Sequence, residues 1–162
     1  SYDPQPLHTL RIVPVMMENL LLVGPAGAGL SLDTPVSFAS LAGQELVLPS
    51  ARHGLRVILD RCAREVGIPL RTSVEADSFG AMIDLVRNGF GLTALPLASI
   101  YAQLENGSLC AAPLVEPVPM RKLVQVFPAD RRVSPAARFV ADTFIEIAAD
   151  LVERKIWAGH ML

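Results

Sequence analysis

The sequence predicts a soluble α/β protein built as two lobes, and three observations carry that reading. Half of the 162 residues (51%) are hydrophobic, yet the apolar runs are short and broken by Gly, Pro and charges. From Glu45 onward the patterns alternate strand, helix, strand, helix, strand, helix, strand, the signature of an open α/β sheet with right-handed crossovers. The strands before Glu45 and a long closing helix do not fit that alternation, so both chain ends are expected to build a second lobe around the central one.

Leu10 to Val15 and Asn19 to Val23 read as two short strands separated by Met16-Met17-Glu18. Gly24 to Gly29 follows as a loop, Thr34-Pro35 starts a short helical turn through Leu41, and Glu45 to Leu48 is a strand ending at Pro49-Ser50. Leu55, Ile58, Leu59, Cys62 and Val66 share one helix face, with Gly67 and Pro69 as the stop. Thr72, Val74 and Ala76 alternate with Ser73 and Glu75 as in a strand, and Asp77 or Ser78 caps the next helix. Met82, Ile83, Leu85 and Val86 face inward on that helix, and Gly89 supplies its left-handed terminator. Gly91 to Leu95 is the next strand, and Pro96 opens a helix running to about Glu105, closed by Asn106-Gly107. Leu109 to Leu114 and Lys122 to Phe127 are further strands, joined by a proline-rich connection. Ser134-Pro135 caps a final helix whose stripe is Phe139, Val140, Phe144, Ile147, Ala148 and Leu151.

Charge and motifs exclude several classes. A net charge of -2 and a pI near 5.9, with no basic stripe beyond Arg131-Arg132, give no electrostatic case for nucleic acid. No run approaches the ~18 apolar residues of a membrane span. Cys62 and Cys110 make no CxxC pair and read as buried free thiols of a reducing cytosol. His8, His53 and His160 lack metal-ligand spacing, and no GxSxG elbow surrounds any serine. Gly24 to Gly29 resembles a phosphate loop only in glycine content. No metal, no cofactor and no enzymatic activity are expected.

Chemistry is expected where strands of an open α/β sheet end. Leu48-Pro49-Ser50, Ala76-Asp77-Ser78 and Leu95-Pro96 each lead into a helix N-terminus with unpaired N–H groups. Converging N-termini suit a carboxylate or other anion, with Ser50, Ser78 and Arg52 as side-chain donors. For any one of these residues ordinary capping is the plainer account; the three together point to a cleft.

At these residues the chain resembles the C-terminal half of a LysR-type transcriptional regulator, from inside the effector-binding domain to its end. "ENLLLVGPAG" and "SFASLAGQELVLPS" are similar to part of the first lobe and its crossover. "GLRVILDRCAREVGIPLRTSVEADSFGAMIDLVRNGFGLTALPLASI" is similar to the second lobe, and "RRVSPAARFVADTFIEI" to the closing helix. "LPSARHGLR" most resembles the branch containing nitrogen-assimilation regulators.

The resemblance implies a two-lobe, periplasmic-binding-protein-like (type II) fold with an incomplete first lobe. Residues 1–45 and 121–162 would form that partial lobe, and 46–120 the second. It implies a ligand-sensing regulatory domain whose small-molecule inducer, of anionic character, lies between the lobes. Carried over by position, the second-lobe wall is Ser50, Asp77-Ser78-Phe79 and Leu95-Pro96, with Phe90 in the core away from the inducer. The implied partners are copies of itself, as a dimer or tetramer of the full-length protein, and DNA through an N-terminal winged helix-turn-helix that this chain lacks. No membrane partner and a cytoplasmic location go with that reading. A truncated first lobe would leave edges and apolar faces open, favouring a swapped dimer or a second chain. The competing expectation is a fragment of a periplasmic solute-binding receptor, which shares the fold but is exported.

Overall fold

The computed structural model describes residues 10–129 and 132–162; His8 and Arg131 lie outside them. Two compact units emerge: unit 1 comprises Ser1–Met17 and Lys122–Leu162, and unit 2 comprises Glu18–Arg121. The sequence reading put residues 18–45 in the first lobe, whereas the contacts group them with unit 2.

The boundary falls inside a strand. Where two strands were expected there is one, β1, running unbroken from Leu10 to Pro25. Met16-Met17-Glu18 looked like a break because a glutamate interrupts apolar residues. Its carboxylate is fully buried and paired with the Arg121 guanidinium, which removes the penalty of burying a lone charge.

In unit 2 the second half of β1 lies between β5 (Thr93–Pro96) and β6 (Leu109–Val115) and is antiparallel to both. Leu20 faces Pro96 and Leu21 faces Pro113. β2 (Val36–Ser37) pairs parallel with β6. β3 (Glu45–Leu48) and β4 (Arg71–Glu75) form a parallel pair joined to Leu92 just ahead of β5, through Val47 N–H to Leu92 O (2.8 Å) and Leu92 N–H to Glu45 O (2.9 Å). Five strands therefore run one way and β1 runs against them. The helical turn expected from Thr34 is instead β2 followed by a 3-10 turn, Phe38–Leu41, because Val36 and Ser37 find a partner in Leu114 and Val115.

Helices α1 (Gly54–Val66), α2 (Phe79–Arg87) and α3 (Leu97–Glu105) bury their apolar faces on this sheet. Leu55, Leu59 and Cys62 of α1, Met82, Ile83 and Val86 of α2, and Ile100 of α3 join Leu46 to Leu48 and Leu20 to Val23 in one core. Each large apolar side chain removed from water contributes about 1.5–3 kcal/mol. Burial pushes the Cys62 thiol above its ordinary pKa, with Arg61 opposing weakly.

The turn after α2 needs both its glycines. Gly89 is left-handed at φ 81°, and a Cβ on Gly91 (φ 144°) would sit 2.5 Å from the Glu45 carbonyl oxygen. That close approach carries the backbone into the bond with β3. Phe90, expected in the core, is 53% exposed, because its backbone is committed to the Leu85 and Ser73 hydrogen bonds and its side chain turns outward.

In unit 1 the first half of β1 pairs with β7 (Met120–Pro128) and β8 (Gly159–Met161), and α4 (Pro135–Glu153) packs nearby. Val15, Met16 and Ala148 form a small core with Leu123, Ile145 and Trp157 against it. The stripe expected to bury on α4 is mostly exposed: Phe139, Val140, Phe144 and Ile147 stay in solvent, and of the six only Ala148 is buried. Trp157 meets one member of that face, its ring standing edge-on to Phe144 with centroids 6.2 Å apart. No described helix is long and apolar enough to cross a membrane.

Candidate ligand-binding rim

The carboxyl ends of β3, β4 and β5 all lie at one edge of unit 2. At β3 and β4 the parallel pairing puts two helix starts side by side. The Ala76 N–H donates to Leu48 O (3.1 Å), and the Ser50 N–H donates to Asp77 Oδ1 (2.8 Å) across 27 residues of sequence. That bond ties the loop before α1 to the loop before α2. It also holds the Asp77 carboxyl below the usual carboxylate range, the Ser50 backbone N–H being the main cause and His53 a lesser one.

Each helix start has its own cap. Ser78 Oγ accepts from the Ala81 N–H (3.2 Å), so Ser78, not Asp77, caps α2. His53 caps α1, Nδ1 accepting from the Leu55 N–H (3.2 Å), which puts the proton of the neutral ring on Nε2. The His53 and Phe79 rings lie 6.4 Å apart and tilted, and the Arg121 guanidinium stands 5.8 Å over the Phe79 ring. Register places Glu18 just past the ends of β5 and β6, since Leu20 and Leu21 are the last residues paired with them. His53, Phe79, Arg121 and Glu18 thus form a run of neighbouring side chains along this edge.

Of the residues expected at the rim, Ser50, Asp77, Ser78 and Phe79 come together. Arg52 is exposed in the turn closed by the His53 N–H to Ser50 O bond (2.9 Å). Leu95 and Pro96 reach the same edge through β5, but their side chains are buried; Pro96 offers its place at the start of α3, its carbonyl accepting from Ser99 Oγ (2.8 Å). His53, Glu18 and Arg121 were missed. The available signal for Glu18 was a lone acid in phase with Met16, Leu20 and Leu22 on a strand, a position that demands a partner. Nothing local pointed to Arg121 as that partner. The edge carries helix dipoles, first-turn N–H groups and the Arg52 and Arg121 guanidiniums, alongside the carboxylates of Asp77, bonded to the Ser50 N–H, and Glu18, paired with Arg121.

Comparison with known proteins decides the family. The family described as LysR substrate binding domain matches residues 1–149. The chain belongs to that family. This LysR substrate binding domain is 25% identical over 159 residues to the HTH-type transcriptional regulator BbuR of Bordetella bronchiseptica, covering 98% of this chain and 49% of that protein. It therefore spans about half the length of the curated relative it matches. Among solved structures it is similar to the Synechocystis CcmR regulatory domain in complex with 2-PG, with a TM-score of 0.72 at 15% identity over 91% of this chain and 71% of that one. It is also similar to the effector binding domain of QuiR in complex with shikimate, with a TM-score of 0.68 at 19% identity over 91% and 68%. These likenesses establish the two-lobe α/β fold of LysR effector-binding domains. The family match over residues 1–149, and not the shared fold, displaces the exported solute-binding receptor, the competing expectation from sequence.

Proposed function

We propose that this LysR substrate binding domain is the ligand-sensing part of a transcriptional regulator and that its rim takes the anionic end of a small inducer. Ser50, Arg52, Asp77, Ser78 and Phe79 form the rim, with Leu95 and Pro96 setting the start of α3 beside it. The observation that carries the reading is the Ser50 N–H to Asp77 bond, which fixes two helix N-termini next to each other. The solved relatives' shikimate and 2-PG complexes support a small ligand. In this reading the inducer acts by population shift, binding one conformation better than another, and the response passes through a homo-oligomer to DNA-binding segments outside this chain. A cytoplasmic regulator is the setting that goes with it.

The test is a thermal-shift screen of this chain and of the full-length regulator against small carboxylates and phosphate monoesters, each paired with a neutral ester or amide. Shikimate and its methyl ester are the first pair. A ligand at a hundred times its Kd adds about 2.7 kcal/mol of stability, a readily measured rise in Tm. Anions are expected to raise Tm where their neutral partners do not, and Arg52→Gln is expected to weaken the response about tenfold. Equal responses to charged and neutral members would sink the anion reading.

A further inference from the structure

Five arginines of this chain, Arg56, Arg71, Arg87, Arg121 and Arg154, each pair with a carboxylate. Arg11, Arg52, Arg61, Arg64, Arg132 and Arg138 pair with no carboxylate among the described residues, and three of these six, Arg11, Arg132 and Arg138, line a single groove of about 490 Å³ in unit 1. Arg11 is held 5.2 Å over the Phe127 ring, on the strand next to its own. Arg138 lies in the first turn of α4, its N–H bonded to Ser134 O (3.0 Å), and that turn has no acidic residue. A cation there faces the positive end of the helix dipole, the reverse of the usual arrangement. Among the described residues no Asp or Glu lines the groove; Asp142 lines an adjoining hollow of about 260 Å³ that shares Arg11 and Arg138. A chain with net charge -2 thus gathers three guanidiniums, none paired with a carboxylate among the described residues, and a helix N-terminus around one opening.

We propose that this groove binds a phosphorylated small molecule, at a site separate from the rim of unit 2 and not dependent on its function. A single carboxylate would neutralise one of the three cations. A phosphate monoester or diphosphate brings about two negative charges or more and three acceptor oxygens that match guanidinium forks. The groove's volume lies in the roughly 300–1,000 Å³ range of small-molecule pockets and exceeds what phosphate alone fills. Leu10, Pro128 and Val133 give the remainder of the ligand an apolar wall.

The experiment is an NMR titration of this chain with pyrophosphate at fixed ionic strength, following the Arg11, Arg132 and Arg138 Nε–H signals and the amides of Val133, Ser134 and residues 136–138. Saturable shifts are expected with pyrophosphate and not with acetate. Arg138→Gln and Arg11→Gln are each expected to weaken binding about tenfold, and Arg138→Lys to recover only part, since an ammonium lacks the fork. Arg154→Gln, at the other end of α4, is expected to titrate as the parent. Shifts that rise linearly, that acetate reproduces, or that survive both glutamine substitutions would overturn the proposal. So would shifts produced by a short duplex oligonucleotide and not by pyrophosphate, which would assign the patch to nucleic acid.

Discussion

Unit 2 buries what its sequence pattern says it should bury, and unit 1 does not. In unit 2 the inward faces of α1, α2 and α3 meet a sheet that covers them, leaving few large apolar side chains such as Val57 and Phe90 in water. In unit 1 the described residues bury Val15, Met16 and Ala148, while Leu10, Ile12, Val124, Val126, Phe139, Val140, Phe144 and Ile147 are exposed. α4 carries an amphipathic stripe as α1 does, although a less sharply segregated one. An amphipathic pattern therefore specifies a face that can be buried, and a neighbouring element must supply the burial.

The largest expected effect tests that contrast directly. Leu59→Ala in α1, at a side chain 1% exposed, is expected to cost about 2–5 kcal/mol in urea unfolding. Ile147→Ala in α4, at a side chain 53% exposed, is expected to stay within about 0.5 kcal/mol. A comparable cost at both positions would break the comparison and show that α4 is covered in solution.

The next effect sharpens the boundary between the units. Arg121→Ala leaves the buried Glu18 carboxylate without its guanidinium, and about 2–4 kcal/mol of stability is expected to go. Replacing both residues, as Glu18→Gln with Arg121→Met, is expected to return most of it. If the single change is neutral, burial of Glu18 is not what keeps β1 continuous.

The smallest effect concerns the rim. The Asp77 carboxyl is held below its unfolded pKa, so its contribution is present above about pH 4 and lost as pH falls through the lower folded value. Asp77→Asn is therefore expected to lower Tm slightly at pH 6, with the gap to the parent closing as the pH falls and the carboxylate is protonated in the folded state. A gap unchanged across that fall would mean that the Ser50 bond does not depend on the carboxylate.

Much of unit 2 was legible because its signals are local. Ser78 and Gly89 bracket α2, Gly67 ends α1, and the apolar spacings name the buried faces. The rim was legible in part for the same reason, since strand ends running into capped helices read directly from residues such as Ser50 and Asp77-Ser78. His53 was overlooked because a histidine cap has no distinctive spacing, and Leu95 and Pro96 reach the edge with buried side chains because β5 is a central strand. Phe90 looked like core by its hydrophobicity, but the tight backbone path set by Gly91 turned it outward.

The sequence by itself determined the helices, their caps, the alternation of the central lobe and the family resemblance, because all of these depend on residues a few positions apart. Only the tertiary structure decided that β1 is a single strand, that Glu18 is satisfied by a residue 103 positions away, and that two helix starts meet through Ser50 and Asp77. It also decided that the α4 stripe stays in water and that three distant arginines share a groove. The physical reason is the same in each case: whether a charge is paired or an apolar face covered depends on what the folded chain places beside it.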